Sequence, residues 1–174
     1  MDSEYWGSDT TSSDISIRSN GQGMLNMPLA VEVYNDCYII MHVGSSSTMQ
    51  RVKRNEKNFF KCPTNNLNNA TMYFHPAKAF SKIGSIEPGE GMVGDYFPEV
   101  ANFSKAGKLR ELVVSTIETD SYNESLTSGF DISNNIMLEK LYVANLTKYK
   151  QGLDLSGCPN LIEVDARNSS FTSV

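Results

Sequence analysis

Apolar positions are distributed in three textures along the chain. Residues 1–27 are polar, and stretches such as Ser8-Asp-Thr-Thr-Ser-Ser-Asp14 leave Tyr5, Trp6, Ile15, Ile17 and Met24 as scattered apolar handles. So little apolar surface cannot offset the entropy of ordering. These residues therefore read as an extended N-terminal arm, either flexible or ordered against a neighbouring molecule through Tyr5, Trp6, Ile15 and Ile17. From Leu29 the texture changes to short β-branched and aromatic runs: Leu29-Ala-Val-Glu-Val-Tyr34, Cys37-Tyr-Ile-Ile-Met-His-Val43, Gln50-Arg-Val-Lys-Arg54, Asn58-Phe-Phe-Lys61 and Ala70-Thr-Met-Tyr-Phe74. Asn, Asp, Gly, Ser and Pro clusters separate them, which predicts four or five antiparallel strands. The result is a small antiparallel β-sandwich-like module over residues 28–86, with Val31, Val33, Met72 and Phe74 on buried faces.

Residues 87–108 concentrate Gly and Pro and read as a connection. Gly89, Gly91 and Gly94 satisfy the dinucleotide fingerprint G-x-G-x-x-G. That fingerprint needs a preceding strand and a helix opening at its end, and Pro88 and Pro98 on either side leave no room for one. Nucleotide binding is set aside.

The third texture, residues 109–174, is a repeat. Leu109-Arg-Glu-Leu-Val-Val114, Leu138-Glu-Lys-Leu-Tyr-Val143 and Leu161-Ile-Glu-Val-Asp-Ala166 each read L-x-x-[LV]-x-[VA], and their starts lie 29 and 23 residues apart. These intervals fall within the 20–29 residues of leucine-rich repeats. Leu153-Asp-Leu-Ser-Gly-Cys158 adds an L-x-L-x-x-C step. The expected solenoid core is Leu109, Leu112, Val114, Leu138, Leu141, Val143, Leu153, Leu155, Cys158, Leu161, Val164 and Ala166. Successive coils bury these together, while Asn and Asp side chains satisfy the backbone at each turn. Phe171 and Val174 point inward with no polar capping coil after them, so the last coil is expected either to continue in a longer chain or to be covered by another subunit. The fold class is thus mainly β: an arm, a β module and the start of a leucine-rich-repeat solenoid.

Composition narrows the function. The 174 residues carry a formal net charge of -5, which argues against direct nucleic-acid reading. The basic cluster Arg51, Lys53, Arg54, Lys57 and Lys61 reads as the wet face of a hairpin. Cys37, Cys62 and Cys158 are odd in number and far apart, and His42 and His75 stand singly, so neither a zinc site nor a disulfide framework is expected. Cys158 reads as a core residue. No apolar stretch suits a membrane span, and the Met1 start lacks the features of a secretion signal. Five N-x-[ST] triplets, at Asn69, Asn102, Asn123, Asn145 and Asn168, are what an Asn- and Ser-rich composition produces by chance. With no nucleophile, acid–base or metal motif, no catalytic residue, cofactor or metal is assigned and no enzyme is expected. Glu111, Glu139, Glu163 and Asp165 read as the solvated face of the repeat.

The stretch 153–174 resembles the repeats of virion structural proteins of crAss-like and related Bacteroidetes phages. The resemblance extends upstream through Phe103-Ser-Lys-Ala-Gly-Lys-Leu-Arg-Glu-Leu-Val-Val114 and Tyr73-Phe-His-Pro-Ala-Lys-Ala-Phe-Ser-Lys-Ile-Gly-Ser-Ile86, covering about residues 29–174. It implies a tail or tail-associated virion component, with other virion proteins as partners and a homo-oligomer in a symmetric particle. The alternative is a bacterial surface adhesin or glycan-binding module built on the same repeats. The absence of an export signal weighs against that alternative.

Overall fold

A computed structural model describes residues 14–19, 28–61, 70–87, 89–96, 98–114 and 126–174. Its strands are β1 (Ile15–Ser19), β2 (Leu29–Val33), β3 (Cys37–Val43), β4 (Ser46–Val52), β5 (Asn58–Phe60), β6 (Thr71–His75), β7 (Phe80–Ile83), β8 (Pro98–Asn102), β9 (Glu111–Val113), β10 (Gly129–Asp131), β11 (Lys140–Tyr142) and β12 (Glu163–Asp165). They form two six-stranded sheets. Sheet 1 runs β10-β8-β1-β6-β3-β4 and sheet 2 runs β12-β11-β9-β7-β2-β5. The chain is mainly β, and both sheets are mixed. Pairing is antiparallel among β1 to β6 and where β7 and β8 meet them, and parallel where β9 to β12 are added.

One apolar core lies between the sheets, and the alternation of the sequence explains it. Val31 and Val33 from β2, Ile39, Met41 and Val43 from β3, and Met72 and Phe74 from β6 all point into it, as their period-two spacing predicts. The same core continues without a break into Leu112, Leu141, Val143 and Leu153.

Three features depart from the sequence expectations. Ile15 and Ile17, assigned above to the arm, are fully buried in β1, which pairs with β6 on one side and β8 on the other. Residues 15–19 are thus an interior strand of sheet 1, because neighbours on both sides satisfy their backbone and cover both isoleucines. Tyr5 and Trp6 lie outside the described residues. The second departure is β8, which occupies the end of the expected connection and starts on Pro98. Proline is tolerated at the first residue of a strand. Thirdly, the parallel ladder begins one step earlier than the leucines indicate, since β7 pairs with β9.

That ladder is regular. Lys82, Glu111, Lys140 and Glu163 occupy equivalent positions on β7, β9, β11 and β12, at intervals of 29, 29 and 23 residues. The turns leading into the last three strands repeat the same hydrogen bonds. Asn102, Asp131 and Asp154 each accept, through Oδ1, the backbone N–H two residues on, at 2.9 Å. Such Asx turns reverse the chain with a local side-chain acceptor. The N–H groups of Ala106, Asn135 and Cys158 then donate to the carbonyls of Phe103, Ile132 and Leu155.

Adjacent turns are bolted together at these same three positions. Asn135 Nδ2 donates to the Phe103 and Ala106 carbonyls, both at 2.8 Å, and Cys158 Sγ donates to the Ile132 carbonyl at 3.3 Å. Gly157 lies so close to the turn below that a Cβ there would stand 2.0 Å from the Ser133 carbonyl oxygen. Gly157→Ala is therefore expected to push its turn away from the one below and cost about 1–3 kcal/mol of stability. A urea-unfolding midpoint equal to that of the parent chain would show that the turns are not packed this closely.

Candidate functional site

The most organised polar feature is a row of charges on the outer face of sheet 2. Register places Glu32 opposite Lys82, Lys82 opposite Glu111, Glu111 opposite Lys140 and Lys140 opposite Glu163. At the other edge, Ala30 pairs with Phe59 and Val31 with Asn58. Continuing that register by one residue brings Glu32 level with Lys57, immediately before β5. The row therefore reads Lys57, Glu32, Lys82, Glu111, Lys140, Glu163, one charge per strand in alternating sign. Side-chain contacts follow it: Lys82 Nζ lies 3.0 Å from Glu111 Oε1, and Lys140 Nζ lies 3.8 Å from Glu163 Oε2. Each opposite-charge cross-strand pair contributes about 0.2–1 kcal/mol, and like charges in the same place oppose pairing. A register slip of one residue would also turn the inward leucines to solvent.

Flanking groups tune the row. Arg110 Nη1 pairs with Glu139 Oε1 at 3.1 Å in the neighbouring row. Glu139 is thus offset from Glu111 and Glu163 rather than equivalent to them. The Tyr142 hydroxyl donates to Glu163 Oε1 at 2.9 Å, and burial, with Glu163 second, pushes the phenol up to about 12. At the far end Lys57 and Glu90 form an ion pair that holds Glu90 below the usual carboxylate range, with Ser85 Oγ also donating to it. The hydrogen bond to Glu90 foremost, and the charges of Glu87 and Glu32 behind it, raise the Lys57 ammonium. Asp165 is lowered by its two-pronged contact with Arg167.

Beside the row are two open depressions. One of about 490 Å³ is lined by Arg110, Met137, Glu139, Asn160 and Ile162, and one of about 240 Å³ by residues that include Glu32, Lys82, Arg110, Glu111 and Lys140. Both are wide and shallow, and Lys82, Arg110, Glu111, Glu139 and Lys140 in their walls are engaged in ion pairs.

The expected core positions are placed as follows. Leu109, Leu112, Val114, Leu138, Leu141, Val143, Leu153 and Cys158 are buried, and Leu155, Leu161 and Ala166 pack partly buried against them. Val164 is 39 % exposed, because β12 has no further strand beside it among the described residues. The Cys158 thiol is pushed up to about 11, chiefly by burial and then by Asp154, as suits a packed, protonated group. The histidines are in sheet 1: His42 pairs with Ser47 and Tyr73 across the strands, and His75 Nδ1 lies 2.7 Å from Asp14 Oδ1. The latter contact fixes the start of β1 against β6. Among the described residues no group of three or more His, Cys, Asp or Glu is placed to hold a metal ion, and no helix is long and apolar enough to cross a membrane. Gly91, from the glycine motif, lies against the Pro28 carbonyl where a Cβ would have no space. Sequence reasoning missed the row because it links strands from distant segments. Its signal is the charged residue at each 29- or 23-residue step.

No known protein family, curated protein or solved structure matches the chain.

Two outcomes follow for the row. Glu111→Lys would place three lysines side by side and is expected to lower stability by about 1–2 kcal/mol, less so in high salt; equal unfolding midpoints at low salt would show that the row carries no cross-strand energy. Glu90 and Asp165, lowered in the folded chain, stabilise it fully above the ordinary carboxylate range and lose that contribution as pH falls through their lowered values. Tyr142, raised from 10.0 to about 12, stabilises fully below 10.0 and loses its contribution as pH climbs through about 12. Urea midpoints against pH are expected to fall at both ends, and Tyr142→Phe to flatten the alkaline limb.

Proposed function

We propose that this chain is a structural component of a phage virion, in the tail region, that works through protein–protein contacts and not by turnover. On this reading the parallel ladder from β7 to β12 is the opening of a leucine-rich-repeat solenoid growing out of the antiparallel part of the two sheets. The observation that carries the proposal is the ladder itself: short strands in strict parallel register, repeated Asx turns, and an outermost strand with apolar side chains in solvent. Such an architecture extends by stacking further protein on its edge. The resemblance to crAss-like phage virion proteins read from the sequence of residues 29–174 points to the same assignment.

The second reading is a surface adhesin or glycan-binding module. It draws on the open depression between Arg110, Glu139 and Asn160, whose mix of donors and acceptors suits sugar hydroxyls.

Mass-spectrometric peptide mapping of purified particles from the source separates the two. Peptides of this chain co-purifying with capsid and portal proteins are expected. Their absence from intact particles would remove the virion assignment and leave the glycan-binding reading, to be checked by glycan-array binding with Arg110→Ala as the control.

A further inference from the structure

Among the described residues the alternating row is open at both edges of sheet 2, with opposite signs. It starts on Lys57 beside β5 and ends on Glu163 in β12. We infer that copies of this chain associate head to tail through these edges, β12 of one copy beside β5 of the next, so that Glu163 meets Lys57 and the alternation runs on across the contact. The inference rests on the assembly role proposed above and names the two faces that would carry it.

Three observations support a second copy as the occupant. Among the described residues β12 is an edge strand; it has no proline or bulge, and its Val164 is 39 % and the preceding Ile162 77 % exposed. At the opposite edge Phe59 is 39 % exposed, and Lys57 and Lys61 on either side of it are exposed as well. Phe59 is thus flanked by Lys57 and Lys61 and Val164 by Glu163 and Asp165, so the residues that would meet are of opposite sign, while Lys57 and Asp165 also pair within their own copy with Glu90 and Arg167. Finally, the charges choose between symmetries. A two-fold contact of β12 with β12 would bring Glu163 and Asp165 against their own copies, and β5 with β5 would set lysines against lysines. Like charges directly opposite disfavour both pairings. Only the heterologous arrangement brings opposite signs together, and such a contact repeats into a ring or an open filament.

The test is sedimentation velocity of the whole chain over a wide concentration range, with E163K, K57E and their equimolar mixture. Concentration-dependent association is expected for the parent chain, weakened about tenfold or more by either single reversal. In the mixture, the β12 edge of the E163K chain meets the β5 edge of the K57E chain with both signs exchanged, and association is expected to return. Hydrogen exchange on the parent chain gives a second measurement that survives misfolding of a variant: the β12 amides are expected to gain protection as concentration rises. A parent chain monomeric at every concentration overturns the inference while leaving the virion assignment to the particle analysis. Association that neither reversal weakens, with no gain of protection in β12, also overturns it by placing the contact elsewhere. Presence in particles and head-to-tail pairing can therefore fail separately.

Discussion

Each loop from β7 to β9, β9 to β11 and β11 to β12 has to return the chain to the same height on the neighbouring strand, because Ile83, Leu112 and Leu141 share one inward row with Val164. A parallel ladder allows no compromise here, since a shift of one residue exchanges the buried face for the wet one. The constraint explains the Asx turns at Asn102, Asp131 and Asp154, which start every return in the same way, and it explains the tight place at Gly157. It also generates the outer row of charges. Residues held level on the inside are held level on the outside, so a sequence can set Lys82, Glu111, Lys140 and Glu163 side by side only once the inner register is fixed.

Much of this was legible in the residues. The L-x-x-[LV]-x-[VA] segments at Leu109, Leu138 and Leu161 gave the strands of the ladder, and the alternation of Val31 with Val33 and Met72 with Phe74 gave inward faces in the antiparallel part. What escaped was the pairing of segments far apart in sequence. β1 is five residues set among polar neighbours, and its burial depends on β6 and β8 closing over Ile15 and Ile17 from both sides. β8 begins at a proline within a Gly- and Pro-rich stretch, where local signals point to a loop. β7 occupies the first step of the ladder with Phe80 and Ile83 where later steps use leucine, so it shares their spacing and not their letters. The charge row was hidden for the same reason: no single strand carries more than a fragment of it.

The chemistry on the outer faces is that of cohesion. Arg110 with Glu139, Lys82 with Glu111 and Lys57 with Glu90 use their charges on one another. Asp14 and His75 join β1 to β6, and the buried Cys158 thiol serves as a donor to a backbone carbonyl. Side chains that are reactive elsewhere are spent here on holding strands and turns in place.

One more consequence lies in the way the ladder is threaded. Its rungs from β9 onward are three residues long, while 29, 29 and 23 residues separate equivalent points on successive rungs. Every short hydrogen-bonded rung is therefore bridged by a much longer covalent tether. Under a pull across the strands, a rung of sheet 2 that gives way leaves the chain intact, since the first two tethers are themselves anchored in sheet 1 through β8 and β10, and the shared inward row offers a template for closing again. Such a sequence of small, reversible openings would absorb mechanical work, a useful property for any structure that must take load without coming apart.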